Sequence, residues 1–141
     1  MKRIAHIAIA VKDLAASKEL FRRLLGVSAS HEEHVQHQGV KTAMFQFGET
    51  AVELLEGTNQ DSPVSKFIEK KGEGFHHISF MVDDVAQEMD RLRKAGFQFV
   101  DNQPGTGAGE TLVAFLHPRT TNGVLIEISQ KRRDRLSGSG N

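Results

Sequence analysis

The chain has 141 residues, with 18 lysines and arginines against 18 aspartates and glutamates, and it contains no cysteine. This length suits a single domain with its own core. Balanced charge argues against binding nucleic acid or a membrane surface through bulk charge. The absence of cysteine excludes disulfides, thiolate metal sites and cysteine nucleophiles. No apolar run approaches the roughly 20 residues of a membrane-spanning helix.

The first half predicts a strand, a helix and a pair of strands. Lys2–Val11 alternates between apolar and small or polar residues, which is typical of a strand. We interpret it as the first strand of a cytoplasmic protein rather than as a signal peptide. Asp13 and Gly26 suit the cap and the end of a helix. After the polar segment Ser28–Gln38, two strands joined by a tight turn are predicted, Val40–Phe47 and Thr50–Glu56.

A short helix and a second run of elements follow. Ser62 and Pro63 are typical of a helix start, and we expect this helix to end at Gly72. A strand pattern in Gly72–Val82 precedes a helix capped by Asp84. Further strands are predicted at Phe97–Asp101, Thr111–His117 and Gly123–Gln130, with a glycine-rich loop after the first of them.

The second run of elements repeats the first. His6–Leu14 aligns without a gap with His77–Val85, 71 residues further on, and Val52–Leu54 aligns with Ile126–Ile128. Such self-similarity indicates an internal duplication. We therefore predict an α+β fold in which two tandem βαβββ units form one curved, barrel-like mixed sheet with helices on its convex side. The predicted boundaries are about 3–58 and 74–130 for the units, 62–71 for the connecting helix, 1–132 for the single domain and 133–141 for a disordered tail or cloning remnant.

The repeat relates two histidines and two glutamates. His6 and Glu53 belong to the first unit, and His77 and Glu127 occupy the matching positions of the second. Because side chains alternate along strands, all four should point away from the helix-packed face. Two imidazoles and two carboxylates suit a divalent metal ion and leave positions open for water or substrate, as Lewis-acid catalysis requires. A strand histidine considered alone is more often structural, but the repeat-related placement of all four favours a metal site.

The remaining histidines are interpreted differently. His76 aligns with Ala5, so we expect it on the helix-packed face in a structural role. His31, His34 and His37 recur every three residues, but the segment that carries them has no apolar stripe that would hold a helix. A solvated segment is therefore favoured there over a second metal site.

At this point the residues resemble a known family. The duplicated βαβββ unit with histidine and glutamate ligands is similar to the vicinal oxygen chelate (glyoxalase) superfamily. Within it, methylmalonyl-CoA epimerases are the members that this chain resembles in three stretches, His6–Leu14, Ser62–Asp84 and Ala114–Ile128. The resemblance extends from about Ile4 to Gln130, and the second and third stretches are more specific than the superfamily pattern.

The resemblance implies a metal centre. His6, His77 and Glu127 match the family's ligands, and Glu53 lies where the epimerases often have glutamine. One divalent ion per chain is implied, from cobalt, manganese, nickel and zinc, with cobalt favoured. Glu127 is the implied base, with Glu53 as its counterpart. Some epimerases carry a second base where this chain has Thr42, so a two-base mechanism through that position is not expected.

The implied activity is epimerisation of methylmalonyl-CoA at C2, by removal and return of a proton through a metal-stabilised enolate. The expected context is propionyl-CoA and branched-chain degradation, with an acyl-CoA substrate and a cytoplasmic homodimer. Two alternatives stay open: glyoxalase I, which has a similar His-Glu-His-Glu set, and a non-catalytic binding module of the same fold. For the CoA phosphates no spacing signal exists, and solvated surface is the more typical interpretation of the candidates, Lys41, Lys66, Arg119 and the loop Gly105–Gly109.

Overall fold

The computed structural model describes residues 1–131, so the predicted tail over 133–141 lies outside the described residues. Within them the helices are α1 (Leu14–Leu25), α2 (Pro63–Lys71) and α3 (Val85–Lys94). The strands are β1 (Arg3–Ala10), β2 (His31–Val35), β3 (Val40–Phe47), β4 (Thr50–Gly57), β5 (Gly74–Met81), β6 (Gly105–Thr106), β7 (Leu112–Leu116) and β8 (Ile126–Gln130). None of the helices in this part of the chain has the length and apolar character needed to cross a membrane.

All eight strands belong to one curved mixed sheet, in the order β2-β3-β4-β1-β5-β8-β7-β6. The duplicated strands β1 and β5 pair antiparallel at its centre. Each also pairs in parallel with the last strand of its own half, β1 with β4 and β5 with β8. This architecture confirms the predicted α+β class, and its strand order supports the proposed division into two units. It also brings the strands that carry His6, Glu53, His77 and Glu127 side by side.

The helices begin at the predicted capping residues. Asp13 accepts a hydrogen bond from Ala16 N at 3.1 Å, and Asp84 accepts one from Gln87 N at 3.0 Å. Ser62 does the same for α2, with Ser65 N at 3.1 Å. Each side chain satisfies a backbone N–H that the first helical turn leaves without an intrahelical partner.

Two of the helices pack on the convex face of the sheet, as predicted, and one does not. α1 covers a cluster that includes Phe45 and Leu54, and α3 covers one that includes Ile128. In contrast, Val64, Phe67 and Ile68 of α2 pack against the concave face over Ala8, Ala10, Val40 and Leu55. The prediction of helices on the convex side alone is therefore wrong for α2. The small side chains of β1 leave space there, and the apolar stripe of α2 fills it.

The edge strands also differ from the predictions. The segment interpreted as solvated contains β2, which pairs antiparallel with β3 although most of its side chains are exposed. An edge strand buries little, so its sequence need not alternate. Conversely, the strand predicted at Phe97–Asp101 is reduced to a single bridge between Phe99 and Leu116. Phe97 and Phe99 are apolar because they pack against the α3 cluster, and the short strand β6 takes the edge position instead.

Gly57 is needed where β4 meets the start of α2. A methyl group added there would overlap the hydroxyl groups of Ser62 and Ser65 and would lie 3.0 Å from Ser65 N. We expect Gly57→Ala to lower the free energy of unfolding by about 1–3 kcal/mol, because the helix N-terminus must shift to make room. Thermal unfolding should show a fall in Tm of several degrees.

Gly105→Ala is the matched control for that substitution. A methyl group at Gly105 would meet no atom within 4 Å. Its Tm should therefore stay close to that of the wild type. Equal Tm values for Gly57→Ala and Gly105→Ala would contradict the close packing of β4 against α2.

Candidate metal centre

The concave face of the sheet encloses a cavity of about 1370 Å³. Alternate residues of the strands line it, as the predicted alternation of side chains requires. On β4 these are Ala51, Glu53 and Leu55, and around β8 they are Leu125, Glu127 and Ser129. Glu53 and Glu127 therefore point away from the convex face, as predicted.

Three of the four repeat-related residues form a compact cluster in the cavity. The nitrogen atoms Nε2 of His6 and His77 are 3.1 Å apart, and Glu127 Oε1 lies 3.4 Å from His6 Nε2. One possible ligand atom from each of these residues lies within 4.8 Å of those of the other two. Glu53 is outside this mutually close group, but its Oε1 is 3.7 Å from His6 Nε2. The structure therefore gathers all four predicted residues around His6, with Glu53 at the margin.

Burial disfavours charge on the members of this cluster. Desolvation, with repulsion from Glu127 and Glu33, raises the pKa of Glu53 to about 8. Desolvation raises the pKa of Glu127 to about 7, against the opposing effect of a hydrogen bond from Ser79. For the histidines, burial lowers the pKa of His6 to about 4 and that of His77 well below its ordinary value, which keeps both imidazoles neutral at pH 7.

The donor atoms fit a divalent cation. Within residues 1–131, Glu127 Oε1 is the buried side-chain oxygen or nitrogen that has no hydrogen-bond partner. Leaving a buried carboxylate oxygen unpaired is costly. A cation beside the neutral imidazoles of His6 and His77 would satisfy this oxygen, and imidazole with carboxylate is a common donor set for divalent transition metals.

The raised pKa of Glu53 predicts that the metal-free protein becomes less stable as the pH rises. The folded-state pKa of about 8 exceeds the ordinary value of 4.5, so the stability associated with the protonated carboxyl is present below pH 4.5 and is lost as the pH rises toward 8. Glu53→Gln removes this loss. With EDTA present, we expect the variant to be more stable than the wild type by on the order of 2–4 kcal/mol at pH 8, and by much less at pH 5.

Thermal unfolding at both pH values measures this difference. Glu32→Gln is the control, because Glu32 is exposed on β2 and pairs with Lys18 at the surface. A gain of the same size at pH 5 and pH 8 would contradict a buried titrating carboxyl at residue 53.

His76 lies on the cavity side of the sheet, contrary to its predicted place on the helix-packed convex face. In the pairing of β1 with β5, Ala8 is opposite His77 and Ile9 is opposite Phe75, so His76 is an extra residue in a β-bulge. A bulge interrupts the alternation of side chains and redirects one of them. The His76 ring meets the Phe67 ring of α2 edge-on, with centroids 4.8 Å apart. Strand periodicity alone could not reveal this irregularity.

The other histidines do not join the cluster. His31 Nε2 lies 2.9 Å from Glu33 Oε1, and His37 Nε2 lies 2.9 Å from Thr106 O. Glu33 Oε1 also accepts a hydrogen bond from Gly109 N at 2.9 Å. These contacts connect β2 and the turn after it to the glycine-rich loop, which forms part of the cavity wall.

Cationic side chains lie around the cavity at positions only partly foreseen. Lys66 lines it, as do the glycines at 107 and 109, whereas Lys41 and Arg119 are not among its lining residues. Arg119 Nε instead donates a hydrogen bond to Gln98 Oε1 at 2.7 Å. Sequence alone did not indicate that α2, the start of β1 and the residue after β8 border the cavity, and they supply four further cations: Arg3, Lys70, Lys71 and Lys131.

Several known proteins are similar to this chain in both sequence and fold. Residues 5–115 match the profile of the Glyoxalase/Bleomycin resistance protein/Dioxygenase superfamily. The ethylmalonyl-CoA/methylmalonyl-CoA epimerase of Cereibacter sphaeroides is 36% identical over 130 residues, which cover 91% of this chain and 97% of that protein.

Solved structures give the same assignment. A variant methylmalonyl-CoA epimerase of Streptomyces coelicolor in complex with 2-nitronate-propionyl-CoA is 36% identical, with a TM-score of 0.91 over 94% of this chain and 99% of that one. A methylmalonyl-CoA epimerase in complex with methylmalonyl-CoA and NH4+ is also 36% identical, with a TM-score of 0.90 over 93% and 95%. This similarity spans nearly the whole chain and includes the strands that carry the cluster. The chain therefore belongs to the methylmalonyl-CoA epimerase family of the glyoxalase superfamily, which confirms the resemblance and the prediction of an enzyme.

Proposed function

We propose that the protein interconverts the S and R forms of methylmalonyl-CoA at C2 in a metal-dependent reaction. The observation that carries this proposal is the cluster of His6, His77 and Glu127 in the cavity, with Glu53 beside it. Duplicated strands supply the histidines, and the strands parallel to them supply the carboxylates. The proposed metal donors and proton acceptors thus lie together in a cavity large enough to admit an acyl thioester.

The proposed metal ligands are His6, His77 and Glu127, with Glu53 as a fourth. Their donors are neutral imidazole nitrogens and carboxylate oxygens, one of which is otherwise unpaired. When bound, a divalent ion supplies Lewis-acid stabilisation of the negative charge that develops as the α-proton leaves. Cobalt is favoured by the resemblance, and manganese, nickel and zinc suit the same donors.

Glu127 and Glu53 are the proposed bases. Epimerisation removes a proton from one face of a carbon and returns a proton to the opposite face, so two acid–base groups on different sides suit the task. Glu127 on β8 and Glu53 on β4 lie on opposite sides of the central pair β1–β5. Thr42 on β3 is buried at the cavity wall, and its hydroxyl group is a poor base at neutral pH. We therefore propose Glu53 on β4, rather than a residue of β3, as the second acid–base group.

The remaining parts of the proposal concern the substrate tail and the setting. Lys66, Lys70 and Lys71 of α2 would face the CoA phosphates, since all three line the cavity. Following the resemblance, we also propose a cytoplasmic homodimer that acts in propionyl-CoA and branched-chain degradation. Sedimentation of the purified protein tests the dimer.

Proton exchange tests the activity directly. In D2O, the metal-loaded protein should incorporate deuterium at C2 of methylmalonyl-CoA, and EDTA should abolish this incorporation. The hemithioacetal of methylglyoxal and glutathione is the control substrate. Turnover of the hemithioacetal without exchange into methylmalonyl-CoA would identify glyoxalase I chemistry. Ligand binding that is insensitive to EDTA and accompanied by no exchange would identify a binding module.

A further inference from the structure

We propose that His76 is a positioning residue for the metal ligand His77, whose Nδ1–H it accepts as a hydrogen bond. The inference rests on the proposed metal-dependent function. The distance between the Nδ1 atoms of His76 and His77 is 2.9 Å. The other nitrogen of His77, Nε2, points toward His6 Nε2 at 3.1 Å. His77 thus has one nitrogen toward His76 and the other toward the cluster.

Metal binding through Nε2 of His77 would set the tautomers of both rings. A neutral imidazole carries one proton, so one nitrogen donates and the other accepts. To bind a metal ion, Nε2 of His77 needs its lone pair, and the proton must then be on Nδ1. That N–H requires an acceptor, which is Nδ1 of His76 at hydrogen-bond distance. Metal-ligating histidines commonly have such a partner, and it fixes both ring orientation and basicity.

A β-bulge in the backbone brings His76 to this position. Regular alternation would direct His76 to the face opposite His77. The bulge between β1 and β5 inserts His76 as an extra residue and turns its side chain to the cavity side. Two consecutive residues therefore reach the same region, one as a ligand and the other as its partner.

Separate contacts hold the rings in place. The His76 ring meets Phe67 of α2 edge-on, with centroids 4.8 Å apart. The His77 ring is perpendicular to that of Phe115 on β7, with centroids 5.3 Å apart. Because Phe115 supports His77 independently, loss of the His76 acceptor should change the hydrogen bonding of the ligand more than its packing.

Two substitutions separate the hydrogen bond from the packing. His76→Leu keeps an apolar side chain against Phe67 but removes the acceptor. His76→Asn places an amide oxygen near the position of Nδ1 and can restore it. Competition titration with a chelator should show Co(II) affinity about 10–100-fold weaker for His76→Leu. We expect His76→Asn to recover most of this affinity and the wild-type absorption spectrum of bound Co(II).

His34→Leu is the matched control, because His34 is exposed on β2 and does not line the cavity. Metal-free Tm values of all variants show whether the fold is intact. Wild-type affinity in His76→Leu would overturn the inference, and so would equal weakening in the Leu and Asn variants, which would indicate packing alone. The titration needs no turnover, so a failure of the epimerase assay leaves its result valid. A wild-type protein that binds no divalent ion would overturn both proposals.

Discussion

Glu127→Gln should lower epimerase kcat by on the order of 10³-fold at saturating metal concentration. The amide has nearly the same shape as the carboxylate, and its oxygen can still approach a cation. It cannot accept a proton at neutral pH, so proton abstraction would lose its proposed base. Glu127 is 6% exposed, and bulk water is therefore a poor substitute. The measurement is kcat from each epimer of methylmalonyl-CoA, together with the metal content of the variant.

Glu88→Gln is the control for this loss. Glu88 lies on α3, outside the cavity, and bonds to Arg91 on the same helix. Its removal should leave kcat unchanged. Wild-type turnover in Glu127→Gln would exclude Glu127 as a base. If turnover disappeared only because the metal was lost, Glu127 would act as a ligand alone.

His77→Ala should weaken the binding of a divalent ion by more than about 100-fold, a larger loss than is typical for a partner of a ligand. The residue is 4% exposed at the centre of the sheet, and no other histidine besides His6 belongs to the cluster formed within the described residues. Without it, one imidazole and the carboxylates remain, which is a weaker set for a transition metal. Calorimetric titration with Co(II) measures the loss.

His34→Ala provides the comparison for His77→Ala, since it removes an imidazole from an exposed edge strand. Its affinity for the ion should equal that of the wild type. A His77→Ala protein that kept full affinity would contradict the proposed centre and would direct attention to the other histidines.

The sequence could predict the four central residues because the duplication compares two copies of one pattern. His6 and His77 both face the cavity, as the alternation of side chains along their strands predicts, although each lies beside an irregularity in the pairing of β1 with β5. His76 was misplaced because a bulge is a property of the pairing between two strands, and neither strand shows it alone. Periodicity therefore identified the ligand candidates but could not identify the proposed partner of one of them.

The position of α2 shows a second limit. Its cap and apolar stripe predict a helix, but they do not specify which face of the sheet the helix covers. That choice depends on Ala8 and Ala10, whose small side chains leave room on the concave face. Similarly, β2 is a strand because β3 offers it a free edge, and its own residues carry little strand signal. These features depend on tertiary packing, which a single sequence does not report.

The central pairing of β1 with β5 has a consequence for how the chain reaches its native state. His6 and His77 are 71 residues apart, and their rings meet only after these strands pair. Contacts between distant residues form late and slow the folding of a domain, because closing a long loop costs entropy before the contact stabilises it. The donor cluster is therefore absent until β1 and β5 have paired. An ion that requires both halves would bind only after this pairing, and its uptake would report that the two halves have joined.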